Sequence, residues 1–188
     1  MDDPPLETTG EPQDDITPAP CAFTAAPELI EGTDYECGDL SVPQRHGDPG
    51  SVDIQVHFIR FFGSGNEPSA TLYLDGGPGD TGQVMAGLPA AGIEGLTQAG
   101  DLVVVSQRGT AFSQPALTCP PLRDGMEVEE LQACRDDLSA GDVDLSDFNT
   151  QENADDIEDL RVGLGYAQWN LFGISYGTRL ALEVMRRH

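Results

Sequence analysis

The pentapeptide Gly173-Ile174-Ser175-Tyr176-Gly177 constrains the fold more than any other part of the chain. It follows a short, almost wholly apolar run, Trp169 to Ile174, and opens a helical pattern, Tyr176 to Arg187, with Leu180, Ala181, Val184 and Met185 on one face. A G-x-S-x-G sequence between a buried strand and a helix has the form of a nucleophile elbow. The turn is so tight that its flanking positions, Gly173 and Gly177, must be small, and the serine is pushed into a strained, exposed geometry. There the helix dipole and the free N–H groups of the first turn favour developing negative charge. Five residues carry little alone in a chain with 22 glycines; the strand before and the helix after give the signal its weight.

The rest of the chain fits the same architecture. Ser51 to Phe62 alternates, with Val52, Ile54, Val56 and Phe58 on one face, and Gly47 to Gly50 supply a turn before it, so this region reads as a hairpin. Ala70 to Leu74 and Leu102 to Val105 are, like Trp169 to Ile174, short apolar runs of the kind seen in parallel strands buried on both faces. Helical patterns separate them. Residues 80–98 are weakly helical, and Gln151 to Leu164 places Ala154, Ile157, Leu160 and Leu164 on one face, with Thr150 as the expected N-cap and Gly165 just past the end. Strands alternating with helices predict an α/β sheet with right-handed crossovers.

Charge narrows the partners. The 188 residues include 33 acids and 9 arginines with no lysine, a formal net charge of −24. That excludes binding nucleic acid by neutralising phosphates and argues against an anionic membrane surface. Met1 to Pro20 combine acid with five prolines and little to bury, which predicts an acidic disordered tail over 1–20 and a folded portion over 21–188. The acidic block from Asp124 to Asp159 has the helical patterning of a solvated face, with attraction of a substrate amine as the alternative. No apolar run approaches the roughly 18 residues of a membrane span, so no membrane insertion is expected, and the N-terminus lacks the pattern of a signal peptide. Oligomeric state is undetermined.

The cysteines Cys21, Cys37, Cys119 and Cys134 allow three pairings, and none has the C-x-x-C spacing of a zinc or redox site. Local pairing, 21 with 37 and 119 with 134, is the simplest. Each such bridge closes a loop of about 15 residues, worth roughly 3 kcal/mol in the chain-entropy model. Cys134 shares a helical stripe with Val128, Leu131 and Leu138, which points its sulfur inward. Disulfides belong outside the reducing cytoplasm; buried free thiols in a cytosolic protein are the alternative.

A second motif, Asp75-Gly76-Gly77-Pro78-Gly79, directly follows the run Ala70 to Leu74, where an acyl-transfer enzyme needs backbone N–H groups aimed at a tetrahedral oxyanion. The expected donors are the N–H groups of Gly77 and Tyr176, with Gly76, Pro78 and Gly79 shaping the loop. The stretch from Gly77 to Gly82 also satisfies G-x-G-x-x-G, the dinucleotide fingerprint. That reading fails because Asp101 precedes its strand, whereas the ribose-binding acid follows one, and because it leaves Ser175 unexplained.

These residues resemble the α/β-hydrolase serine peptidases of the proline iminopeptidase and tripeptidyl aminopeptidase group. The matching positions are Cys37-Gly38-Asp39-Leu40-Ser41-Val42-Pro43, Gly76 to Gly79, and Gln107-Arg108-Gly109-Thr110 with Ser113, Pro115, Leu117 and Cys119. They continue with Asn153-Ala154-Asp155, Leu160-Arg161, Leu164-Gly165 and Trp169 to Thr178, so the resemblance spans roughly 21–188. It implies an exported enzyme that releases residues or short peptides from a free N-terminus, with Ser175 as nucleophile and a peptide or small acyl compound as substrate. The elbow tyrosine and paired cysteines look more like the tripeptidyl members. Three departures stand out: Asp75 where the family often has His, Ser106 where it has an acid, and Ala111-Phe112 where it tends to have Gly. Arg108 reads as a turn brace. No metal or organic cofactor is implied.

In that fold the triad runs serine, acid, histidine, so both partners of Ser175 are expected beyond it. Only thirteen residues follow, ending in His188, which closes the elbow helix and points away from the serine. His46 in the early turn and His57 on the polar face of an early strand read as surface histidines. Losing the triad histidine costs on the order of 10⁶ in turnover. The expectation is therefore an N-terminal portion of the fold, a mostly parallel sheet flanked by helices with antiparallel first strands, cut after the elbow helix and inactive alone. Its final strand is expected to leave an open apolar edge and a poorly stable chain. A non-catalytic remnant or binding module, and an esterase of the same fold, are the alternatives.

Overall fold

The structure, a computed structural model, describes residues 15–65, 69–119, 128–141 and 143–188. Six strands form one mixed sheet: β1 (Ile16–Pro18), β2 (Tyr35–Pro43), β3 (Asp53–Phe61), β4 (Ala70–Leu74), β5 (Asp101–Val105) and β6 (Asn170–Gly173), in the order β1-β2-β3-β5-β4-β6. The β2–β3 hairpin forms as expected, and β1–β2, β2–β3 and β3–β5 are antiparallel. Strand β4 is parallel to both β5 and β6. Its crossover to β5 carries the short helices α1 (Gln83–Ala86) and α2 (Ala90–Leu96). Between β5 and β6 lie α3 (Val128–Leu138), a 3₁₀ turn at Leu145–Asp147 and α4 (Thr150–Gly163), and α5 (Tyr176–Arg187) follows β6.

The central strands are buried on both faces because each alternates its side chains between two apolar clusters. Leu72, Leu74, Val103 and Val105 meet Ile157 and Leu160 of α4 and Leu180 and Val184 of α5. Tyr73, Leu102 and Val104 point the other way, towards Phe23, Phe61 and Ile93. Full burial of one such leucine stabilises by about 2 kcal/mol, so the two helices on one face and the covering segment on the other are held chiefly by apolar area.

Several expectations need correction. Ile16–Pro18 pairs with β2, so the end of the stretch expected as a tail joins the sheet, while residues 1–14 lie outside the described ones. The polar face of β3 is not solvated. Phe23 stacks over His57, which is 3% exposed, and Ile59 and Phe61 beside it are fully buried. Strand β6 pairs only with β4 among the described residues, and Phe172 and Ile174 stay 40% and 45% exposed, so the expected burial on both faces does not occur. Met185 likewise faces solvent, and of the α3 stripe only Cys134 is buried.

The α4 N-cap is Asn149, whose side chain accepts from the N–H groups of Gln151 and Glu152, while the Thr150 hydroxyl pairs instead with the Tyr176 hydroxyl at 3.0 Å. Gly165 ends that helix as expected, with φ 78°. The simplest cysteine pairing is the one formed, Cys21–Cys37 and Cys119–Cys134. Among the described residues no helix is long and apolar enough to cross a membrane.

Candidate active site

Parallel pairing brings the two motifs together. Leu74 registers with Gly173, and the Ile174 N–H donates to the Leu74 carbonyl at 3.1 Å, so the loop after β4 and the turn after β6 leave adjacent strands side by side. This is the carboxyl end of the parallel strands, where open α/β sheets bind ligands.

Ser175 is exposed and has φ 52°, the one non-glycine residue with positive φ among the described residues. Such a conformation costs on the order of 1–3 kcal/mol and persists only where its surroundings enforce it. The enforcement is visible. A Cβ on Gly177 would stand 2.0 Å from the Leu74 carbonyl oxygen, and one on Gly173 would stand 2.4 Å from the Gly177 carbonyl oxygen. Both glycines are therefore required, as the elbow pattern demands. Thr178 closes the turn, its N–H and hydroxyl donating to the Ser175 carbonyl at 3.1 and 2.6 Å.

The glycine loop lies against this serine. A Cβ on Gly76 would meet Ser175 Cβ at 3.2 Å and its Oγ at 3.7 Å, so no larger residue fits there without displacing the serine. Gly77 and Gly79 have φ of 97° and 117°, and the Gly77–Pro78 peptide is cis. Among the described residues no group accepts a hydrogen bond from the N–H of Gly77 or of Tyr176. These N–H groups belong to the residue after Gly76, which packs on the serine, and to the residue after the serine itself.

Asp75 anchors that loop. Its buried carboxylate accepts from the Tyr73 hydroxyl at 2.9 Å, the Gly76 N–H at 2.8 Å and the Gly82 N–H at 3.0 Å. Burial, then the hydrogen bond to Asp75, pushes the Tyr73 phenol up to about 12, which keeps it a donor. The aspartate thus ties both ends of the glycine run together, a role that sequence reasoning did not assign. An Asp directly before consecutive glycines is a turn signal that could have suggested it.

A second brace comes from the 107–110 turn. Gln107 Nε2 donates to the Asp75 carbonyl at 3.3 Å, and Asn153 Nδ2 donates to Gln107 Oε1 at 2.8 Å. Arg108 uses all five N–H groups: two on Asp156 at 2.6 and 2.5 Å, and three on the carbonyls of Gln44, Asp147 and Pro43 at 2.6, 2.9 and 3.3 Å. Arg108 therefore braces the turn, as its sequence context suggests, and none of its donors is left for a substrate.

None of the three histidines serves Ser175. His57 Nδ1 pairs with Asp39 at 2.6 Å, and its Nε2 accepts from the Ala22 N–H at 3.1 Å, so neither ring nitrogen of this buried imidazole is free to act as a base. The expectation of a surface histidine is wrong here, because the 21–23 segment, tied down by the Cys21–Cys37 bridge, covers the strand. His46 is also packed, its ring nitrogens 2.8 and 3.1 Å from Glu152 and Asp159. His188 contacts Asp155 at the far end of the elbow helix. Among the described residues two clusters have metal-ligand types, Cys21, Cys37 and His57, and His46, Glu152 and Asp155. In the first the sulfurs are bonded to each other, and in the second the ring nitrogens and both carboxylates are already engaged.

A family model described as the alpha/beta hydrolase fold matches residues 72–188. The chain belongs to that family. It is 28% identical over 166 residues to serine protease Hip1 of Mycobacterium tuberculosis (strain ATCC 25618 / H37Rv), covering 77% of this chain and 32% of that one. YuaR of Escherichia coli (strain K12), which carries a hydrolase name, is 26% identical over 175 residues, covering 84% and 33%. The chain thus spans about a third of the length of the curated relatives it matches. Among solved structures, a probable hydrolytic enzyme from Pseudomonas aeruginosa PAO1 superposes with a TM-score of 0.51 at 16% identity, covering 87% of this chain and 38% of that one.

Proposed function

We propose that this α/β-hydrolase chain is the nucleophile-bearing portion of an exported serine hydrolase, an aminopeptidase of the proline iminopeptidase or tripeptidyl type. The observation that carries the reading is the contact between Gly76 and Ser175, which sets the loop bearing the Gly77 N–H against an exposed, strained serine. In this scheme Ser175 Oγ attacks the substrate carbonyl carbon and its proton passes to a histidine. The oxyanion that forms is met by the N–H groups of Gly77 and Tyr176. The tetrahedral species collapses to an acyl-enzyme, the amine departs with the histidine's proton, and water then hydrolyses the ester. That histidine is none of His46, His57 and His188, whose ring nitrogens are committed elsewhere.

The peptidase assignment draws on the serine protease name of the Hip1 relative and on the family resemblance of the motifs. The two disulfides fit an oxidising compartment. The test is fluorophosphonate labelling of the protein expressed from its whole reading frame, with Ser175→Ala as control, followed by hydrolysis of tripeptide anilides with free and acetylated N-termini. Labelling that depends on Ser175, with cleavage of free N-termini alone, is expected. An unlabelled folded protein overturns the reading in favour of a non-catalytic domain.

A further inference from the structure

Beside the glycine loop lies a cavity of about 190 Å³, bounded by Pro78 and Gly79 of that loop, Leu117, Phe148, Asn153 and Tyr176. Asn153 is 5% exposed, and its Oδ1 is the one buried side-chain polar atom without a partner among the described residues. An unpaired buried acceptor is costly, and native proteins rarely leave one without a use.

The orientation of this amide is set by its neighbours. The Asp75 carbonyl can only accept, so Gln107 must turn its NH₂ towards it and present its oxygen to Asn153. Asn153 must then spend its own NH₂ on that oxygen, which leaves Oδ1 as an acceptor. Flipping Asn153 would set oxygen against oxygen. The relay from Asp75 through Gln107 therefore fixes Asn153 Oδ1, on a residue that bounds the cavity, as a group that takes a donor.

The donor it takes is neutral. No carboxylate is among the described residues bounding the cavity, and the one cation there, Arg108, has every N–H engaged. An ammonium group would thus find an acceptor but no countercharge, whereas a peptide N–H needs only the acceptor. The apolar walls of Leu117 and Phe148 suit the small side chain carried with it.

We propose that this cavity is a substrate subsite that accepts a backbone amide N–H on Asn153 Oδ1, so that the protein selects amide-linked over ester-linked chains. The proposal rests on the hydrolase reading above. A site built around a hydrogen-bond acceptor rejects an analogue lacking the donor, because the acceptor is then buried unpaired. Asn153 is a specificity residue here, and the relay connects its occupancy to Asp75 at the base of the glycine loop.

The experiment measures how alanine tripeptide amide, and depsipeptides in which one N–H at a time is replaced by oxygen, slow fluorophosphonate labelling of the protein from its whole reading frame. In the wild type one replacement is expected to weaken protection roughly tenfold, and in Asn153→Ala that gap should close, each competitor's protection being read as a ratio to that variant's own labelling rate without competitor. Asn153→Ser offers a smaller perturbation should the alanine variant fail to fold. Equal protection by every analogue overturns the proposal and leaves the hydrolase reading standing, as does a gap that survives both variants or protection by none of the peptides. Absence of any labelling overturns both.

Discussion

Glu152 grips His46 twice, accepting from its backbone N–H at 2.7 Å and from Nδ1 at 2.8 Å through the same carboxylate oxygen. The second ring nitrogen reaches Asp159 at 3.1 Å, and Asp156 stands 3.7 Å away. The β2–β3 turn is thereby strapped to α4, the helix that also carries Asn153 and Asp156.

Burial opposes the charge on His46, yet hydrogen bonds to Asp159 and Glu152 and the field of Asp156 outweigh it and push the imidazolium up to about 9. The folded value lies above the ordinary 6.5, so this contribution is fully present below pH 6.5 and is lost as pH rises through about 9. By linkage it amounts to at most about 3 kcal/mol, since solvent screens part of the interaction. Denaturant melts of wild type and His46→Gln across pH 6 to 10 should show a gap that closes at the alkaline end; a gap independent of pH would refute the strap.

Arg108 and Asp156 form a fully buried pair whose every guanidinium proton is placed. Asp156→Asn leaves the guanidinium only the more distant Glu152 carboxylate, 3.9 Å from Nη1, and should destabilise by about 3 kcal/mol. Arg108→Lys cannot reproduce the fork and should cost a comparable amount. Urea midpoints measure both, and a change under about 1 kcal/mol in either would show that the pair is dispensable.

At Gly177 the added methyl of an alanine would lie inside the van der Waals shell of the Leu74 carbonyl. Gly177→Ala should therefore separate β6 from β4 at the elbow, lowering stability by about 3 kcal/mol or more and abolishing labelling of Ser175. Normal labelling in a folded Gly177→Ala protein would mean that the turn has room the structure does not show.

Ser175 itself is expected to trade stability for chemistry. Glycine tolerates the φ of 52° at no steric cost, so Ser175→Gly should raise stability by about 1 kcal/mol despite its freer unfolded chain. In a domain of this size that is a melting point higher by about 2–4 °C. A lower melting point would place the strain elsewhere.

Local patterns were readable where one face of one element decides them. The apolar runs at β4 and β5, the amphipathic α4 and the elbow all follow from side-chain period and glycine placement, and the structure puts them where the sequence predicts. What escaped are features made by distant segments. His57 alternates onto a face that looks polar, but Phe23, some 34 residues earlier, covers it. The four carbonyl and carboxylate partners of Arg108 come from three separate stretches. Asn153 sits in a motif that the family resemblance singles out, yet its role depends on an amide relay whose polarity is decided at Asp75.

The pairing of Leu74 with Gly173 has a further meaning. Side chains in a strand alternate between faces, so a slip of one residue between β4 and β6 would carry the serine to the wrong side of the sheet and away from the glycine loop. The alignment of the two motifs thus begins with the strand register, on which the close packing of Gly177 and Gly76 depends. Under the hydrolase proposal, labelling of Ser175 thus reports strand register as well as chemistry, since only correctly indexed strands bring the serine to the glycine loop.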